Sequence, residues 1–127
     1  MSETDQEKGL KVRTEVMGEA FMQRAIENTT PLTEPMQAWI NEHGWGSTWQ
    51  RDGLPRSTRS LVTIAMLVAL KAPKELQGHI RGALNNGCTV SEIQEVLLHS
   101  SVYCGAPAAQ EGFRAAQEVI DEWLRTR

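Results

Sequence analysis

The sequence has no long hydrophobic run. Its most apolar stretch, Leu61 to Leu70, is interrupted by Thr63, and a bilayer-crossing helix needs about 20 apolar residues. A membrane is therefore not an expected partner. The first residues, MSETDQEKGL, are polar and acidic and lack the apolar core of a secretory signal, so the expected location is the cytoplasm. Cysteine is scarce. Cys88 and Cys104 are the two present, they form no Cys-x-x-Cys pair, and both are read as buried thiols rather than as a disulfide framework. Charge of one sign is nowhere concentrated. The net charge is −3, and Arg51, Arg56 and Arg59 are the one local cluster of arginines. A basic face that tracks phosphates is not expected, nor is a nucleic-acid partner. Gly-x-Gly-x-x-Gly, phosphate-loop, Gly-x-Ser-x-Gly and His-Glu-x-x-His patterns are all missing. No nucleotide, nucleophile-elbow or zinc-protease chemistry is indicated.

What is present is a chain of 127 residues with 40% hydrophobic content, four Trp and five Met. That length suits one domain and buries about two-thirds of its unfolded surface. The apolar content leaves surface that suits a partner subunit. Residues 1–10 are expected to be disordered, and residues 11–127 to form a single domain.

No segment alternates like a half-buried strand, and the apolar residues recur at helical spacing. Six helices are expected. The first spans about Val12 to Glu27. The second starts at Thr33 as N-cap, with Pro35 in its first turn, and ends at Gly44 and Gly46. An irregular stretch from Trp45 to Leu54 carries Trp45, Trp49 and Arg51 and closes in the turn Asp52-Gly53-Leu54-Pro55. The third, about Ser57 to Lys71, is apolar nearly all round and is expected to be the central, most buried helix. The fourth opens at Pro73 and ends at Asn85-Asn86-Gly87, with Gly87 left-handed. The fifth opens with the capping box Thr89-Val90-Ser91-Glu92 and closes at Gly105. The last opens at Pro107 and runs through Phe113, Ile120 and Trp123. The fold class is all-α with short connections.

Glu75 and His79 stand four apart and share a helix face. A histidine at the edge of a core, oriented by a carboxylate, suits general acid–base work near neutral pH. A solvated Glu–His pair would look the same. Glu95, His99 and Tyr103 form a second stripe, which fits either a pocket wall or an interface ladder. These histidines could also be metal ligands, but a catalytic zinc needs three protein ligands gathered together, and the pattern supplies no such cluster. The expectation is no metal.

From Trp45 to Ala109 the sequence resembles the carboxymuconolactone decarboxylase family. The matching pieces are Trp45-Gly46 with Trp49 and Arg51, then Gly53-Leu54-Pro55-Arg56-Ser57, then Glu75-Leu76 with His79-Ile80-Arg81. After these come Gly87-Cys88-Thr89, Glu95-Val96-Leu97-Leu98-His99 and Val102-Tyr103-Cys104-Gly105-Ala106-Pro107-Ala108-Ala109. Gly9 to Gly18 resembles the family's N-terminal segment. The wider superfamily includes alkylhydroperoxidase-like proteins, which carry Cys-x-x-Cys just before the matching histidine. Ala72 and Glu75 stand there in this chain, so a dithiol redox cycle lacks its sulfurs.

The resemblance implies an all-α, alkylhydroperoxidase-like domain that assembles as a homo-oligomer, a hexamer or trimer. It implies decarboxylation of a small carboxylated lactone, 4-carboxymuconolactone, to 3-oxoadipate enol-lactone and carbon dioxide, in the protocatechuate (β-ketoadipate) branch of aromatic degradation. No cofactor is implied. His79 would deliver the proton with Glu75 orienting it. Arg51 and Arg59 would hold carboxylates, Trp45 and Trp49 would wall the site, and His99 and Tyr103 would line it. Two other readings stay open: an enzyme of the same scaffold acting on another lactone or enolisable acid, and a non-catalytic oligomeric binding protein.

Overall fold

The computed structural model describes residues 4–127. The described residues form seven α-helices and one π-helical segment, with no strand. The all-α expectation is met, with seven α-helices in place of six. The chain gathers into two compact units, Met1–Pro55 and Arg56–Arg127. No helix among the described residues is long and apolar enough to cross a membrane.

The first unit holds α1 (Asp5–Met17), α2 (Glu19–Glu27), α3 (Glu34–Trp39) and the π-helical segment (Ile40–Gly46). Helix α1 begins well before Val12, because Thr4 caps it: the Thr4 hydroxyl accepts from the Glu7 backbone N–H at 3.1 Å. Asp5 and Glu7 in the first turn add charge of the sign that a helix N-terminus favours. Of the ten residues expected to be disordered, those from Asp5 onward are therefore helical, and residues 1–3 lie outside the described residues. The expected first helix is in fact two. Gly18 breaks it at φ 94 and ψ 152, a region that side-chain-bearing residues avoid. Val12, Val16, Met17 and Trp45 form this unit's core, with Phe21, Ile40 and Trp49 packed against it.

Helix α1 packs against the π-helical segment through a close backbone crossing. A Cβ on Gly9 would overlap the Asn41 carbonyl oxygen, and one on Gly46 would overlap the Asp5 carbonyl oxygen. Thr33 takes the expected N-cap position of α3 but makes no side-chain cap. Its backbone is helical, at φ −91 and ψ −13, and its hydroxyl accepts from the Thr30 N–H at 2.9 Å instead.

The second unit holds α4 (Arg56–Ala69), α5 (Pro73–Asn85), α6 (Val90–Cys104) and α7 (Ala106–Arg125). The start signals act as the sequence suggests. Pro73 opens α5. Thr89 and Glu92 close a reciprocal capping box, with N–H···O distances of 2.8 and 3.0 Å. Gly105, at φ 92, ends α6 and leads straight into α7. Ile64, Leu76, Ile80, Ile93 and Leu97 are the large side chains at the centre, interleaved with Ala83, Ala115 and Ala116. Full burial of each such aliphatic contributes about 1.5–3 kcal/mol. Asn86 ties the α5–α6 turn to α4, its Nδ2 donating to the Ser60 hydroxyl at 2.9 Å.

Helix α4 corrects one expectation, for it is not buried all round. Ser60, Ile64 and Val68 face inward, whereas Val62, Met66 and Leu70 are 41%, 59% and 73% exposed. A helix with neighbours on one side can cover one stripe, so its second apolar stripe stays open in the isolated chain. The most extensively buried helix is α5, with Leu76, Gly78, Ile80, Gly82, Ala83 and Leu84 all inside.

Candidate active site

His79 lies on α5 between buried Gly78 and Ile80. The leucine, isoleucine and alanine stripe that sinks α5 into the core carries His79 on its flank, where the side chain is half-buried. Its Nδ1 is shielded from solvent, and the residue makes further interactions. An imidazole has two ring nitrogens, either of which can carry or pass a proton. Glu75 sits one turn earlier, with its side chain exposed. Arg59 lies on α4, which packs against α5. It is half-buried, and its Nε is also shielded from solvent.

On α6, His99 and Tyr103 are brought together, with ring centroids 5.2 Å apart and tilted at 40°. Glu95 shares their exposure, and Tyr103 is 79% exposed. The stripe faces outward in this chain.

Both cysteines are free thiols, Cys88 buried and Cys104 half-buried. Cys88 Sγ donates to the Ser57 carbonyl at 3.3 Å. Burial, and then the negative charge of Glu92, push this thiol above its usual value of 9.0. A thiol held protonated is a poor nucleophile. The unit also has an open groove of about 410 Å³ between α5 and α7, lined by Lys74, Gln77, Glu111 and Arg114 among others. None of the expected site residues borders it.

In the first unit, Trp45 and Trp49 stack, with centroids 4.6 Å apart and 28° between planes. The expectation of an irregular stretch from Trp45 is corrected in part. Trp45 is the last but one residue of the π-helical segment and belongs to the core, 5% exposed. The widened turn carries on in the i→i+5 bonds Ser47 N–H to Glu42 O at 2.8 Å and Trp49 N–H to Gly44 O at 2.9 Å. Arg51, two residues beyond, is exposed.

One residue of interest is absent from the sequence-based candidates. Arg13, on α1, is 9% exposed. Its Nη1 donates to Gln37 Oε1 at 2.9 Å and to Asn41 Oδ1 at 3.0 Å, and burial lowers its pKa. The available signal was a charge set beside Val12 and three residues before Val16, on a face that the apolar spacing assigns to the core.

These features define an all-α protein with a candidate acid–base histidine on the best-buried helix of a four-helix unit. Residues 34–118 match the model of the Carboxymuconolactone decarboxylase family, and the chain belongs to that family. It is 46% identical over 114 residues to the 4-carboxymuconolactone decarboxylase of Acinetobacter baylyi, covering 90% of this chain and 85% of that one. It is 45% identical over 118 residues to the nitrosuccinic acid decarboxylase of Metarhizium robertsii, covering 93% of this chain and 82% of that one. An uncharacterized 15.0 kDa protein of Paracoccus denitrificans is 36% identical over 107 residues, covering 82% of this chain and 77% of that one.

Proposed function

We propose that this chain is a cofactor-independent decarboxylase of 4-carboxymuconolactone, yielding 3-oxoadipate enol-lactone and carbon dioxide in protocatechuate degradation. The observation that carries the proposal is 46% identity to a decarboxylase of that name over 90% of the chain.

The chemistry asks little of a cofactor. As the ring-carbon carboxylate leaves, its C–C bonding pair moves through the adjacent double bond to the lactone carbonyl oxygen. The resulting dienolate takes a proton at its α-carbon to give the enol-lactone. His79 is our candidate for delivering that proton, and its half-burial on a rigid helix suits the task. Glu75, one turn earlier and exposed, would orient His79 for that transfer. Arg59 offers donors to a carboxylate or to the dienolate oxygen, and His99 and Tyr103 remain candidates to line the site. In the first unit, exposed Arg51 would offer a carboxylate fork, and Trp49, half-buried and stacked on Trp45, would offer an aromatic wall.

The chain would work as a homo-oligomer, a hexamer or trimer, in the cytoplasm. The open stripe of Val62, Met66 and Leu70, together with Leu98 and Val102 on α6, is apolar surface that a second copy would cover.

A second reading is favoured by the fungal relative. Nitrosuccinic acid also carries two carboxylates beside an oxygen-rich electron sink, its nitro group, so the same proton-delivery apparatus would serve it. The test is turnover by chelated, desalted protein, offered the lactone generated in place and, separately, nitrosuccinate. Carbon dioxide release from the lactone supports the first reading, and release from nitrosuccinate alone moves the assignment to the second. His79→Gln is expected to lower kcat about 10²–10⁴-fold while the helical signal persists. An unchanged kcat would remove His79 from the mechanism.

A further inference from the structure

Arg13 is a buried cation held by neutral groups. A guanidinium cannot shed its charge at any physiological pH, and burying an uncompensated charge is strongly unfavourable. Arginines in such positions ordinarily face a carboxylate. Among the described residues, the hydrogen-bond partners of Arg13 are the two side-chain amide oxygens of Gln37 and Asn41. Desolvation alone accounts for its lowered pKa. No acid of the described chain offsets the charge.

The geometry adds a direction. Nη1 carries two hydrogens, and the bonds to Gln37 at 2.9 Å and Asn41 at 3.0 Å engage both. These two acceptors sit on α3 and the π-helical segment, so they fix the guanidinium plane from one side. The edge left over is the pair Nε–H and Nη2–H. That edge is the side-on fork whose parallel donors match the two oxygens of one carboxylate. With 9% of the residue accessible, the approach to it is narrow.

We propose that Arg13 is a binding site for the carboxylate of a small organic acid, received side-on by Nε and Nη2 while Gln37 and Asn41 hold the guanidinium in place. The choice of a carboxylate over other anions rests on the decarboxylase reading. The existence of an anion site does not, since it follows from the uncompensated charge. A purely structural Arg13 would clamp α1 to the π-helical segment and would bind nothing.

Succinate is the probe, titrated into the full-length protein by calorimetry at constant ionic strength, with inorganic phosphate as a second arm. Wild type is expected to bind succinate saturably, and Arg13→Gln to weaken that binding at least about tenfold, the scale of a lost charge-assisted hydrogen bond. Gln37→Glu guards against a variant that merely fails to fold. It keeps the acceptor on Nη1 but supplies an internal carboxylate, so the fold should persist by tryptophan fluorescence while succinate binding falls by a similar factor. Succinate bound equally well by wild type, Arg13→Gln and Gln37→Glu would overturn the proposal. So would an absence of succinate binding, or binding of phosphate alone. If the lactone is turned over, succinate that raises KM marks the carboxylate as the substrate's own, and succinate that lowers kcat marks an effector. If no turnover is found but succinate binding depends on Arg13, the decarboxylase reading falls and the site stands.

Discussion

The two units of this chain are held together in opposite ways. In Arg56–Arg127 the packing is made by interleaved side chains: Ile64, Leu76, Ile80, Ile93 and Leu97 fill the spaces that Ala83, Ala115 and Ala116 leave. In Met1–Pro55 the decisive contact is backbone on backbone, where Gly9 and Gly46 let α1 lie directly on the π-helical segment. A side-chain core yields when one member changes, because flexible ends can shift. A backbone crossing has nothing to shift.

That contrast can be tested with one pair of glycines. Gly9→Ala places a methyl on the Asn41 carbonyl and is expected to destabilise the first unit by about 3 kcal/mol or more, at or beyond the upper end of ordinary overpacking. Three of the four tryptophans, Trp39, Trp45 and Trp49, lie in that unit, so their fluorescence should unfold at lower denaturant than the far-ultraviolet helical signal. Coincident transitions would show that the two units do not respond separately. Gly112→Ala on α7 probes the other kind of packing. Its methyl would meet Val68 Cγ2 at 3.0 Å and Leu97 Cδ2 at 3.3 Å, both ends of side chains that can turn aside. A loss of about 1 kcal/mol is expected, read from the denaturation midpoint, and a loss as large as that of Gly9→Ala would erase the distinction. Thr89→Ala removes the hydroxyl half of the α6 capping box and should lower stability by about 1 kcal/mol. That change acts at a helix end and should leave the tryptophan transition in place.

The smallest expected effect concerns pH. The Cys88 thiol is pushed up by burial and then by Glu92, so the native state holds its proton more tightly than the unfolded chain does. That stabilisation is fully present below the usual thiol value of 9.0 and is lost as pH rises through the higher native value. Unfolding free energy should therefore fall above about pH 9, and Cys88→Ala should flatten the fall. An equal slope in the variant would assign it to other groups.

What the sequence made legible follows the same divide. Local chemistry announces itself within a few residues, which is why the capping box at Thr89, the opening at Pro73 and the stop at Gly105 could be read directly. The position of His79 on the flank of a buried stripe followed from helical spacing alone. The break at Gly18 was hidden because Val12, Val16, Ala20 and the Met17/Phe21 pair keep one rhythm across it, and the break lies in a backbone angle that no side-chain pattern marks. The π-helical segment was hidden because its residues fit a 3.6-residue period at their start. Arg13 was missed because what makes it notable is its partners, Gln37 and Asn41, which lie 24 and 28 positions away. The outward stripe of α4 was misjudged because an apolar surface says that something should cover it, not whether the cover belongs to the same chain.

The π-helical segment also sets what kinds of change this region can absorb over time. In Ile40–Gly46 each hydrogen-bonded turn spans one residue more than an α-turn. Losing one residue there would let the segment relax to an ordinary helix, the tighter winding offsetting the missing residue, so Trp45 would keep its direction toward Val12 and Val16. A gained residue would have no such offset and would turn Trp45 by about 100° around the axis. Substitutions at exposed Glu42 and His43 leave the count untouched. Drift here should be free in letters and open to a deletion but closed to an insertion, so a descendant that gains a residue between Ile40 and Gly46 would have to rebuild the core beneath α1.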